Sequence, residues 1–274
     1  MIKKQQMKVS NNYPKSQGQI MHIQKIETKI GTFWIDARDQ FVAKSLTSTG
    51  EYSPGERALY SKFVTQNSNV LWLGAHIGAL VIPFSKYVQR VDTFEANPET
   101  FKLLKKNLKS NDCRNVTAFN IAANNVNGEL NFICNTVNSG GSKRAPHTMN
   151  KAYIDAETIF TTVRCADLDS FLSNHDYDLV FMDIEGSETQ AMQGMTSILK
   201  NAKTVVAEFI PHHLTNVANV TVGQFLQPIK DFRTMVVPSL RRCFYDNEIE
   251  PVLNVMFNKN ACDAGLIFTK AKLS

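Results

Sequence analysis

Several things are missing from this 274-residue chain, and each absence removes a class of protein. No apolar run approaches the ~18 residues of a membrane-spanning helix, so no membrane span is expected. The five cysteines, Cys113, Cys134, Cys165, Cys243 and Cys262, are scattered and odd in number, with no Cys-x-x-Cys pair. A structural zinc site and a disulfide framework are both poorly served by that pattern, and a reducing cytoplasm is the simplest compartment. Residues 1–19 are polar with dispersed lysines and lack the apolar centre of a secretory signal. They are expected to form a flexible tail. Internal repeats and low-complexity tracts are absent as well. The net charge is +5, but the basic residues are spread out. Lys102, Lys105, Lys106 and Lys109 fall along one helix and read as its solvated face, so no nucleic-acid partner is expected.

What is present is an ordinary globular composition, 43% hydrophobic. The length accommodates one large α/β domain with an N-terminal addition. Residues 20–274 are therefore read as a single domain, with 20–68 an extension and 69–274 the core. In the extension, the pattern from Ile20 to Asp36 predicts a β-hairpin turning near Gly31 that buries Ile26, Ile30, Phe33 and Ile35. Ser53-Pro54-Gly55-Glu56 predicts a capped helix from Pro54 to about Thr65.

The core is organised around Val70-Leu71-Trp72-Leu73-Gly74-Ala75-His76-Ile77-Gly78. An apolar strand ends on a glycine, and a helix is expected from Ala79 to Val88. A second apolar run, Val91-Asp92-Thr93-Phe94, delivers Glu95 about 20 residues after the first glycine, where nucleotide-binding α/β folds place the acid that meets ribose hydroxyls. The glycine spacing is Gly-x-x-x-Gly, not Gly-x-Gly-x-x-Gly. A pyrophosphate is less well served than a phosphate-free nucleoside such as S-adenosyl-L-methionine.

From there the chain keeps a βα rhythm. Strands are expected at Asn69–Leu73, Arg90–Phe94, Asn115–Ile121, Glu129–Cys134, Thr162–Cys165, Asp178–Asp183 and Thr204–Glu208. Helices are expected from Asn97-Pro98-Glu99 to about Ser110, over Leu168–Leu172, and from Ser187 to Leu199. Val222–Phe232 reads as a helix kinked at Pro228, and Arg233–Val237 and Leu266–Thr269 as final strands. Pro238–Ala264 gives no clear pattern. The long polar segment Asn135–Phe160 is either a lid over the site or a disordered insertion. In such a sheet, ligands meet the carboxyl ends of the strands. The polar residues there include Asn120-Ile121-Ala122, Asp183-Ile184-Glu185-Gly186-Ser187-Glu188, and Glu208 followed by His212-His213. Asp183 and Glu185 are candidates for orienting a hydroxyl or taking its proton, whereas Glu188 suits a helix N-terminus.

These motifs resemble the FkbM family of S-adenosylmethionine-dependent methyltransferases, from Gly31 to about Leu214. The resemblance is carried by Gly50-Glu51-Tyr52-Ser53 with Glu56, Gly74-Ala75-x-Ile77-Gly78, Phe94-Glu95-Ala96-Asn97-Pro98, Asn120-Ile121-Ala122, Asp167-Leu168-Asp169, the Asp183 to Glu188 run and Glu208. It implies a Rossmann-like class I methyltransferase fold with a mostly parallel sheet, and methylation of a hydroxyl on a sugar, glycan or natural product. Gly74, Ala75, His76 and Gly78 would then cradle S-adenosyl-L-methionine, Glu95 would hold its ribose, and Ala96, Asn97, Ile121 and Ala122 would border the adenine. Asp183 would reach both cofactor and acceptor, with Glu185 beside it, and no metal is expected. The chain departs from the family at three positions: Trp72 stands where an acid is usual, His76 for asparagine, and Phe181 for lysine. Strand alternation puts Trp72 on the face of Val70 and Gly74, so it is expected near the cofactor, lowering its affinity. Two further readings remain open at this point, a scaffold protein that kept the fold and lost turnover, and a nicotinamide-dependent oxidoreductase. The sequence is silent on the acceptor and on oligomeric state.

Overall fold

The computed structural model describes residues 21–271; the expected tail, 1–19, lies outside them. In chain order the strands are β1 (Ile23–Thr28), β2 (Gly31–Asp36), β3 (Asn69–Leu73), β4 (Arg90–Phe94), β5 (Val116–Phe119), β6 (Ala122–Ala123), β7 (Gly128–Cys134), β8 (Lys143–Arg144), β9 (Ile159–Ala166), β10 (Leu179–Met182), β11 (Thr204–Phe209), β12 (Thr234–Val237), β13 (Arg242–Tyr245) and β14 (Asp263–Thr269).

Eight of them form the main sheet in the order β13-β12-β14-β11-β10-β3-β4-β5. Strands β5, β4, β3, β10 and β11 are parallel, and β14 runs antiparallel between β11 and β12. Strands covered by helices on both faces must be apolar throughout, and β10 and β11 are buried at every position. The chain leaves β3 toward β4 and β5 on one side and later returns to β10 and β11 on the other. The carboxyl ends of β3 and β10 therefore flank the switch point where a crevice forms.

The N-terminal hairpin forms as expected, and Ile30, Phe33 and Ile35 are buried, while Ile26 is only partly so. It docks on the helix Pro98–Ser110 through two asparagines one turn apart. The Asn107 side chain accepts from the Trp34 N–H (2.6 Å) and donates to its carbonyl (3.0 Å). Asn111 treats Thr32 in the same way, at 3.0 and 2.7 Å. The helix thus satisfies β2 where another strand would otherwise pair.

Several local expectations are corrected. Ser53 does not cap its helix; it sits in the left-handed region at φ 40° and its side chain makes no capping bond. That helix spans Pro54–Tyr60 and ends in a 3-10 turn, Ser61–Phe63. A further helix, Val42–Thr49, was not anticipated; the Asp39 carboxylate accepts from Phe41 and Ala43 N–H at its start. The helix expected over Ala79–Val88 is a short turn, Val81–Phe84, followed by Ser85–Tyr87 in 3-10 form. The helix expected over Ser187–Leu199 is two, Glu188–Gln193 and Thr196–Asn201. A β-carbon on Gly194, between them, would stand 1.9 Å from the Asn124 carbonyl oxygen. Asp169 then caps the second piece, accepting from Ser197 and Ile198 N–H at 2.7 and 3.1 Å. Asp167 caps Leu168–Phe171, so the Asp167-Leu168-Asp169 motif acts through helix ends. The unread stretch after Val237 contains β13 and the helix Ile249–Asn258.

The segment Asn135–Phe160 is neither a free lid nor a disordered insertion. With its flanks it builds a second sheet, β6-β9-β7-β8, beside the mouth of the crevice. Asn135 anchors it, its Nδ2 donating to the carbonyls of Gly141 and Tyr153 at 3.2 and 3.1 Å.

Candidate active site

A cleft of about 180 Å³ lies beyond the carboxyl ends of β3, β4 and β10. Among the residues expected at a site, Gly74, Ala75, His76, Glu95, Ala96, Ile121, Ala122, Asp183 and Glu185 all line it. Gly78 and Asn97 do not. Gly78 is a packing position, since a β-carbon there would meet Ile82 and Leu104 side chains at 2.8 and 3.0 Å. Asn97 caps the helix Pro98–Ser110 and donates to Ser142 Oγ at 3.3 Å.

The glycine loop is built for close approach. Gly74 has φ 87°, and a β-carbon would lie 1.9 Å from the Asp183 carbonyl oxygen. Only glycine lets β3 and β10 end side by side here. Four of the loop's N–H groups are already engaged. Those of Gly74 and Ala75 donate to the Phe94 carbonyl (2.9 and 3.1 Å), and that of Gly78 to Ala75 (2.9 Å). The His76 N–H donates to Glu95 Oε2 at 2.8 Å. A pyrophosphate needs free N–H donors, so this loop is poorly suited to one. It offers carbonyl oxygens and shape instead.

Glu95 is held at both oxygens, the second accepting from the Asn97 N–H at 2.8 Å. Asn120 fixes the same turn by donating to the carbonyls of Glu95 and Ala96 at 2.8 and 3.1 Å. Burial pushes the Glu95 carboxyl up to about 7, partly offset by those two N–H donors. Each oxygen has capacity for a further donor, and the residue lines the cleft.

His76 takes a left-handed conformation, φ 50°. Its Nε2 lies 2.7 Å from Ser139 Oγ, which donates in turn to the Asp39 carboxylate. Because the serine proton goes to Asp39, Nε2 must carry the imidazole hydrogen. Burial holds this imidazole below its usual range, so it is neutral. Ser139 comes from the long polar segment Asn135–Phe160, and Asp39 from a stretch in which the sequence predicts no element.

At the other end of the cleft stand four acids. Asp183 ends β10, and among the described residues its carboxyl has no hydrogen-bond partner. Burial first, then the charges of Glu185, Glu188 and Glu56, raise it well above the usual carboxylate range. Glu185 adopts φ 57° and receives the Lys143 ammonium at 2.7 Å. Glu188 folds back on the turn, its Oε1 accepting from Ile184 and Gly186 N–H at 3.0 and 3.4 Å. It also opens the helix Glu188–Gln193, the helix start for which it was read as suited, and burial pushes it up to about 7. Glu208, at the end of β11, is raised well above the usual range by burial and by its acidic neighbours.

Of the two histidines flagged after β11, His213 is buried and accepts from Lys143 at 3.1 Å through Nε2. His212 meets the Tyr153 hydroxyl at 2.9 Å. Lys143 had no sequence signature; it is a buried lysine inside a polar segment, placed by the pairing of β8 with β7 at Ile133.

Trp72 is the main correction. It is 1% exposed and does not face the cleft. It pairs in register with Phe181 across β3 and β10, and the two rings stack with centroids 4.0 Å apart. Phe84 tilts against it at 5.1 Å. Two of the three family departures therefore face each other. Where the resemblance implies an acid and a lysine, this chain has a stacked aromatic pair.

The parallel switch-point sheet, the antiparallel β14 and the glycine loop with an acid at the neighbouring strand end define a Rossmann-like class I methyltransferase fold. The family model of the methyltransferase FkbM domain matches residues 73–242, and the chain belongs to that family. Among solved structures, a methyltransferase FkbM from Methylobacillus flagellatus is 11% identical, with 75% of this chain and 44% of that one covered and a TM-score of 0.41. A precorrin-6y C5,15-methyltransferase from Geobacter metallireducens is 14% identical, with 83% of this chain and 93% of that one covered, at 0.41. TYW2 of Pyrococcus horikoshii, solved with MeSAdo, is 12% identical over 92% of this chain and 73% of that one, at 0.45. The chain spans less than half the length of the Methylobacillus protein. No curated protein matches it.

Proposed function

We propose that the chain is an S-adenosylmethionine-dependent O-methyltransferase acting on a hydroxyl of a sugar, glycan or natural product. In this reading residues 20–274 work as one methyltransferase domain, with 20–68 as its extension. The observation that carries it is a single cleft joining Glu95, held ready for a vicinal diol, to Asp183, a buried carboxyl without a partner. The residues present fit the cofactor. Glu95 would accept from the ribose hydroxyls, Ile121 and Ala122 would border the adenine, and the Gly74 carbonyl side with Asp183 suits a cationic amino-acid end. S-adenosylmethionine, when bound, supplies a methyl group on a positively charged sulfur.

The protein's task is then alignment and proton removal. A sugar hydroxyl is too weak an acid to ionise first, so its proton leaves as the oxygen–carbon bond forms and the carbon–sulfur bond breaks. Asp183 is the better base of the two candidates. Its carboxyl is unpartnered and raised toward working pH, whereas Glu185 is tied to Lys143. Glu185 and Lys143 orient the acceptor end. No metal is required in this scheme. The scaffold reading rested on Trp72, which lies in the core, and the filled N–H groups of the glycine loop disfavour a dinucleotide. Calorimetry with S-adenosylmethionine, S-adenosylhomocysteine and NAD tests the reading. Binding of the first two without the third supports it, and binding of neither sinks it.

A further inference from the structure

Two residues hold Glu95 by their main chain, and the side chains of both reach one further element. The His76 N–H donates to Glu95 Oε2 and the Asn97 N–H to Oε1, each at 2.8 Å. The His76 ring meets Ser139 Oγ at 2.7 Å, and the Asn97 side chain donates to Ser142 Oγ at 3.3 Å. Ser139–Gly141 is a single 3-10 turn that Ser142 closes, its hydroxyl donating to the Ser139 carbonyl at 2.8 Å. The same hydroxyl accepts from the Asn135 N–H at 3.1 Å. One turn of the long polar segment thus grips both donors of one carboxylate.

The turn is itself anchored. The Ser139 hydroxyl and N–H both donate to Asp39 Oδ2, the N–H at 3.0 Å. The Gln40 N–H donates to the Val137 carbonyl at 2.9 Å beside them. His76 stands at φ 50°, a conformation that a side chain keeps only where its surroundings hold it. The Ser139 contact supplies that hold. Released from it, His76 is free to return to negative φ, which turns its N–H away from Glu95. Both serines line the cleft, yet the single proton of each hydroxyl is already donated, to Asp39 and to the Ser139 carbonyl. Neither has a proton left for a ligand, so both act through Glu95.

We propose that the turn Ser139–Ser142 is a positioning element of the cofactor site, setting the two backbone donors that aim Glu95 at the ribose. Resting on the cofactor reading, this brings the Asn135–Phe160 segment into the site through Glu95 and, by way of Asp39, ties the N-terminal extension to it.

The test uses the full chain, S-adenosylhomocysteine as the probe in titration calorimetry, and amide hydrogen exchange read residue by residue by NMR. Ser139→Ala and Ser142→Ala should each stay folded by circular dichroism and bind the probe about threefold to tenfold more weakly, the scale of one neutral hydrogen bond. Ser139→Ala should speed exchange of the His76 N–H more than that of Asn97, and Ser142→Ala the reverse, a pattern that general loosening does not give. In a Glu95→Ala background either substitution should weaken binding by less than about twofold more, because groups acting in one chain are not additive. Ser139→Thr, which keeps the hydroxyl, should restore most of the affinity and the slow His76 exchange. A wild type that binds no probe removes the proposed function and this proposal with it. A wild type that binds, beside folded alanine variants that bind equally well, overturns this proposal alone, as does a full penalty that persists without Glu95. If neither alanine variant folds, slow exchange of both amides in the wild type supports the proposal, and exchange as fast as that of exposed loop amides overturns it.

Discussion

Replacing Trp72 by aspartate restores the acid that the family resemblance implies, and the structure predicts that it damages the protein. The ring is buried between Phe181 at 4.0 Å and Phe84 at 5.1 Å. Truncating a buried tryptophan or phenylalanine costs about 3–5 kcal/mol. The new carboxyl must also be carried in a dry, aromatic surrounding. Such groups stay neutral, with a pKa raised by ~3–5 units, at about 1.4 kcal/mol each. Together these approach the ~5–15 kcal/mol that holds a whole domain folded. Trp72→Asp is therefore expected to unfold or to lose most of its resistance to urea, read by circular dichroism. Trp72→Phe, which keeps a ring on Phe181, should lose far less. The double change Trp72→Asp with Phe181→Lys puts opposite charges at facing positions and should recover part of the loss. An unchanged urea midpoint for Trp72→Asp, with tighter S-adenosylmethionine binding, would refute this reasoning and return position 72 to the cofactor site.

Other outcomes follow from the same site. Gly74→Ala should abolish cofactor binding and destabilise the fold, because its methyl would stand 1.9 Å from the Asp183 carbonyl oxygen at φ 87°; calorimetry and a thermal melt check both. The apoprotein should grow less stable as pH rises from about 5 to 8. Glu95 and Glu188 sit near 7 in the folded chain against an ordinary 4.5, so the folded state holds protons that the unfolded one releases, and that contribution is lost as pH passes 7. Melting temperatures that rise across this range would contradict the burial of these carboxyls. On any acceptor found, Asp183→Asn should abolish turnover and also weaken S-adenosylmethionine binding, because it removes the charge that faces the cationic amino-acid end. The wild-type rate should climb with pH through the raised Asp183 ionisation, and EDTA should leave it unchanged.

The parallel strands were legible because burial on both faces favours apolar side chains; β3 and β10 are apolar at nearly every position, and β4 keeps its pattern despite the buried Asp92 and Thr93. Glu95 and Asp183 were legible for the same reason, as acids stranded at the ends of such runs. Trp72 misled because alternation states which residues share a face but not which face meets the ligand. The second face of β3 is as dry as the first, and it takes the tryptophan. Lys143, Ser139 and Asp39 were hidden for a different cause. Each gains its meaning from a partner far along the chain, Ser139 lying 100 residues from Asp39 and Lys143 lying 70 from His213. No local spacing encodes such contacts. Asn97 and Gly78 show the converse, motif residues beside the cofactor region whose observed contacts are a helix cap and a packed core.

The central claim is that Glu95 accepts from the ribose of S-adenosylmethionine, and titration calorimetry of the wild type and Glu95→Ala measures it most directly. The substitution also frees the His76 and Asn97 N–H groups, so a stability loss of about 1–3 kcal/mol is expected, with the fold retained by circular dichroism. Wild-type affinity should weaken as pH falls below about 7, where Glu95 takes up a proton. The variant should bind on the order of tenfold or more weakly and lose that pH dependence. Equal dissociation constants for the two folded proteins, flat across the same pH range, would contradict the account.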